Sequence, residues 1–130
     1  MKRRSAAEKQ AMERFRVAVL AKGKCLFGPE GCNFWPTGEC EAHHVIKRQT
    51  LEAHVSTLPD QDRFALVWNP SLGVPMCNLH HQQITSGFRP LALEEVPEDV
   101  REFCTASQIT HLLERACPPL ASVLFGREAA

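Results

Sequence analysis

Cys40-Glu41-Ala42-His43-His44-Val45-Ile46 and, further along, Cys77-Asn78-Leu79-His80-His81 are the two stretches on which the fold of this chain turns. Each sets a histidine doublet beside a cysteine. In the second, Cys77 and His80 have a C-x2-H spacing at a turn entering a helix, which lets both side chains reach one ion. Upstream, Cys25-x6-Cys32 ends 45 positions before Cys77 and offers a second pair of ligands, across a gap wider than the usual zinc knuckle. Thiolate and imidazole donors suit a tetrahedral zinc. Cys40 competes for the same ion and can replace Cys25 or Cys32; four ligands fill such a site, so one cysteine is surplus.

Around these stretches the sequence punctuates itself. Ser5-Ala6-Ala7-Glu8 matches a capping box, and Met12, Phe15 and Val19 follow at helical spacing, which predicts a helix over residues 5–20 ending near Gly23. Residues 24–37 are rich in Gly, Pro and Cys and are read as a loop that a bound metal would order. Residues 39–46 are read as a strand, and residues 64–68, a short apolar run before Asn69-Pro70, as its hairpin partner, with a partly helical connection over residues 48–58. Residues 77–85 begin a helix that carries His80 and His81 in its first turn and stops at Gly87. Pro97, Glu98 and Asp99 announce a helix to about Cys104, and Ser107 is positioned to cap a last one before Pro118-Pro119. That tail reads as packing.

The chain has 130 residues, enough for one domain with a modest core, and neither a membrane-length apolar run nor a signal-type leader stands out, so it is expected in the cytosol. Six cysteines are many for that compartment and favour metal ligation over disulfides. Cys104 and Cys117 lie apart, in a helical segment, and are read as small buried hydrophobes. A net charge of zero hides a basic front, where Lys2, Arg3, Arg4, Lys9, Arg14, Arg16, Lys22 and Lys24 face only Glu8 and Glu13, and an acidic stretch from Leu91 onward. The basic end fits phosphate binding and simple solvation equally.

The string EAHHVI, the later Trp68-Asn69-Pro70 and then CNLHH resemble the HNH endonucleases of the ββα-metal class, particularly compact phage-type members in which metal-binding cysteines flank the catalytic histidines. The resemblance spans residues 24–88. It implies an α+β fold: a zinc-bound ββα-metal unit wrapped by the N-terminal helix and by a C-terminal helical segment over residues 97–117, all one domain. It further implies that His44 is the general base that activates water, and that His43 and His81 ligate a catalytic divalent ion, Mg2+ or Mn2+. His80 falls where a zinc cysteine usually stands, so the implied structural zinc set is Cys25, Cys32, Cys77 and His80. The implied substrate is DNA, in a host cytoplasm if the chain is phage-encoded.

The chemistry is consistent in itself: neutral imidazole can take a proton from water, and a divalent cation offsets charge building on phosphorus. A regular strand points His43 and His44 to opposite faces, so serving one phosphate requires a strand end or an irregular turn there. Leu72 occupies the spacing of the family's middle asparagine; Asn69 lies three residues earlier and either orients the histidine loop or simply forms an Asn-Pro turn. After His81, Gln82, Gln83 and Thr85 stand where some relatives carry a third metal ligand.

Lys47 and Arg48 follow the histidine strand and are read as phosphate contacts. His54 and His111 lack metal-type neighbours, and Trp35 and Trp68 are read as core anchors. The main rival is a noncatalytic zinc-binding nucleic-acid or protein-interaction module in which every Cys and His serves folding. A hydrolase using zinc itself would be expected to carry an HExxH-type motif, which the chain lacks.

Overall fold

Ser5 starts the first helix as its sequence demands. Its Oγ accepts a hydrogen bond from the Glu8 backbone N–H at 3.1 Å, and α1 runs Ala6–Leu20. The Glu8 carboxylate does not return to the cap but accepts from Trp68 Nε1 at 3.2 Å, tying the helix to a distant turn. The computed structural model describes residues 4–23, 25–27, 40–87 and 90–123. Cys32, Trp35 and most of the predicted 24–37 loop lie outside the described residues.

The strand carrying the first doublet is β1, Cys40–His44, but its partner is not the predicted one. Residues 64–68 belong to α3, Asp60–Val67, which starts after Pro59 with Asp60 and Asp62 in its first turn, where carboxylates complement the helix dipole. The partner is β2, Gly73–Cys77, antiparallel to β1 with Cys40 opposite Cys77 and His44 opposite Gly73. Pro75 sits inside this strand without costing a ladder bond. Its carbonyl accepts from Leu26 N at 2.8 Å, on the side away from β1, so its missing N–H also falls on that outer side. Gly73 is required by close approach: a Cβ there would lie 2.5 Å from a Val19 methyl and 2.6 Å from the Phe15 ring.

Between the strands run α2, Arg48–His54, then α3, then a 3-10 turn over Pro70–Leu72. After β2 the chain enters α4, Asn78–Thr85, which packs on both strands and stops at Gly87 with φ of 79°. β1, β2 and α4 thus form a ββα unit, with α1 also packed on the sheet. Among the described residues the fold is α+β, with six α-helices and one two-stranded sheet.

The tail folds as α5, Glu98–Ala106, and α6, Thr110–Ala116. Ser107 does not cap α6 as expected; it ends α5. Gln108 takes a left-handed φ of 59°, its N–H bonds Thr105 O at 3.1 Å, and Ile109 N bonds Cys104 O at 2.8 Å, the paired bonds of a Schellman motif. Lys22 fastens this tail to the sheet, its Nζ donating to Pro70 O at 2.9 Å, Gly73 O at 2.8 Å and Asp99 Oδ2 at 2.9 Å. One apolar core runs from Phe15 and Val19 through Ile46, Leu51, Leu72 and Met76 to Val100, Ile109 and Leu113. Trp68, Cys104 and Cys117 are buried in it as anticipated, and burial pushes both thiols up to about 11. No helix among the described residues is long and apolar enough to cross a membrane.

Candidate metal centre and histidine cavity

The two doublets divide their histidines between different environments. At the start of α4, His80 turns inward and His81 toward β1. His80 Nδ1 lies 3.2 Å from Cys77 Sγ and 3.5 Å from Cys25 Sγ, and Phe27 stands edge-on to its ring at 4.9 Å. The three ligand atoms lie within 4.8 Å of one another and the residues are 4 to 8 % exposed. The Cys77 backbone N–H donates to Cys25 Sγ at 3.2 Å. This Cys2His triad can hold a metal ion, and its sulfur and imidazole donors suit zinc.

Cys40 is the strand partner of Cys77. That pairing places it beside the triad, and its thiol is pushed up, first by burial and then by the neighbouring Cys25 and Cys77 sulfurs. Since Cys25 keeps its place with Cys77 and His80, a fourth protein ligand would come from Cys40 or from Cys32, which lies outside the described residues.

β1 ends at His44, and the doublet splits there as pleating requires. The His43 ring stands edge-on to His81, centroids 5.0 Å apart. His44 stacks on Phe15 at 4.3 Å, meets Trp68 edge-on at 5.1 Å, and its Nε2 lies 2.7 Å from Val67 O. A carbonyl can only accept, so that nitrogen carries the proton and Nδ1 keeps the lone pair. Because the strand stops here, His43, His44 and His81 still line a single cavity of about 690 Å³.

Lys47 and Arg48 line the same cavity at the start of α2, and Arg115 reaches it from α6. Arg48 Nε is buried without a hydrogen-bond partner and faces Glu52 at 3.6 Å. The imidazole of His43 is held down to about 4, chiefly by burial and then by His81 and His44. Burial also lowers His44, opposed by the Val67 carbonyl and helped by the Arg48 charge.

Asn69 does not reach the cavity. Its side chain caps the 3-10 turn by accepting from Ser71 N at 2.9 Å and donates to Ala65 O at 3.3 Å, so it shapes the turn that follows Val67. Leu72, at the family asparagine's spacing, is fully buried. His54 and His111 meet edge-on at 5.8 Å on α2 and α6, and neither belongs to the triad or lines the cavity.

No family model, curated protein or solved structure matches the chain.

Three participants escaped sequence reasoning. Glu41 Oε1 lies 3.0 Å from His81 Nδ1, the Val67 carbonyl orients His44, and Arg115 brings a cation from the tail read as mere packing. Strand alternation does put Glu41 on the face of His43, but the docking of α4 against that face is not written in any local pattern.

Proposed function

We propose that the chain is a metal-dependent endonuclease of the HNH type that hydrolyses phosphodiester bonds in DNA. The observation that carries this reading is the cavity shared by a backbone-anchored imidazole, His44, and a facing imidazole pair, His43 and His81, with Lys47, Arg48 and Arg115 at its walls. The order of two antiparallel strands followed by a helix supports it, since β1 and α4 bring the two doublets together.

In this reading His44 Nδ1 takes the proton of the attacking water while Val67 O holds the Nε2–H, and the Phe15 face fixes the ring plane. The depressed basicity of His43 keeps it neutral at physiological pH, with a lone pair available for a cation it would share with His81. When bound, a divalent cation, Mg2+ or Mn2+, supplies positive charge against the phosphate and the departing 3′ oxygen. Lys47, Arg48 and Arg115 hold the DNA backbone, so binding weakens with salt and reads little sequence. Cys25, Cys77 and His80, with Cys32 as fourth ligand or Cys40 in its stead, hold a structural zinc that fixes the start of α4.

Supercoiled plasmid incubated with zinc-loaded protein tests this directly. Cleavage is expected only with added Mg2+ or Mn2+ and is expected to stop with chelator. DNA binding without cleavage under every metal would instead make the chain a noncatalytic zinc module.

A further inference from the structure

Glu41 stands two residues before His43 on β1 and meets α4 rather than solvent alone, its Oε1 3.0 Å from His81 Nδ1. An ionised carboxylate can only accept, so this contact places the imidazole proton on Nδ1 and leaves the lone pair on Nε2. His81 and His43 line the 690 Å³ cavity, whereas Glu41 is absent from its walls and lines an adjoining recess of about 530 Å³ with Lys9 and Arg16, the two spaces sharing Ala42 and His44 as walls. Glu41 therefore meets His81 at Nδ1 without itself being one of the cavity's walls.

We propose that Glu41 is a positioning residue for His81, fixing the Nδ1–H tautomer and ring orientation so that Nε2 is presented, with His43, to a divalent cation in the cavity. This rests on the metal-dependent reading above. It gives the carboxylate a purpose that stability does not supply, because Glu41 is 52 % and His81 28 % exposed, and pairs this exposed contribute little to folding. Carboxylate partners of ligating histidines raise ligand basicity and lock the tautomer, and their loss typically weakens metal binding about 10- to 100-fold.

The test uses the zinc-loaded full chain and reads more than activity. Nitrogen-15 NMR of the His81 ring is expected to show the Nδ1–H tautomer in the wild type and a shift toward Nε2–H in Glu41→Ala. A Mn2+ titration followed by electron paramagnetic resonance is expected to show affinity about 10- to 100-fold weaker in Glu41→Ala. Glu41→Gln, which keeps an acceptor but loses the charge, is expected to fall between. Zinc content and melting temperature should match the wild type in both variants.

An unchanged tautomer and unchanged Mn2+ affinity in Glu41→Ala overturn the proposal, as does a wild type that binds no Mn2+ at His43 and His81. Plasmid cleavage separates this from the nuclease reading. If Mn2+ affinity drops as expected while the wild type cuts no DNA, the positioning role stands and the nuclease fails; if the wild type cuts and Glu41→Ala binds Mn2+ equally well, the reverse holds.

Discussion

His80 and His81 are adjacent in sequence yet serve opposite environments. His80 is buried between two sulfurs with an apolar ring against it, while His81 is partly exposed, held by a carboxylate and open to a cavity with cationic walls. A closed set of soft donors can do little but hold an ion and the chain around it. An open imidazole pair can bind a cation and leave room for substrate. The division teaches that a single helix start can bury one side chain among sulfur donors and turn the next toward an open cavity.

The largest expected effect breaks the closed half. Cys77→Ser removes a central donor, and zinc binding in small domains is itself folding free energy. The variant is expected to lose zinc and its cooperative thermal transition, checked by metal analysis and circular dichroism. A folded, zinc-free Cys77→Ser would show that the triad is only a cluster of buried thiols.

The open half should respond to pH instead. His43 is held down to about 4 and His44 also lies below the ordinary imidazole value of 6.5. Between these values the unfolded chain binds more protons than the folded one, so the stability of divalent-free protein should fall as pH drops through that window and be fully present above 6.5. An NMR titration of His43 is expected to show a midpoint near 4; a midpoint at 6.5 would mean that the ring is solvated.

A smaller effect sharpens the role of the cavity walls. Lys47→Ala is expected to weaken DNA binding uniformly across sequences and to reduce the slope of log affinity against log salt by about 1. An unchanged slope would leave Lys47 a solvated surface residue.

Much of this architecture was legible locally. The Ser5 cap, the spacing of Phe15 and Val19, and Gly87 after a helical stretch marked α1 and the end of α4 correctly. β2 was not legible: it contains Gly73 and Pro75 and is buried at all five positions, so it lacks the alternation that identifies a strand. The apolar run at 64–68 misled for the same reason, since a short stretch without clear period fits strand or helix, and Pro59 with two aspartates settles it as helix. The spacing of Cys77 and His80 disclosed one half of the triad, whereas Cys25 joins it through the Leu26–Pro75 backbone contact beside β2. Glu41, the Val67 carbonyl and Arg115 enter only when α4, α3 and α6 dock, which no spacing along the chain records.

The most direct test compares plasmid cleavage by the wild type and His44→Ala, with zinc content and melting temperature measured on both. Loss of the anchored imidazole should cut the metal-dependent rate by at least about 100-fold while zinc and fold are retained. Equal cleavage by a folded, zinc-loaded His44→Ala would contradict the assignment of His44 as the base.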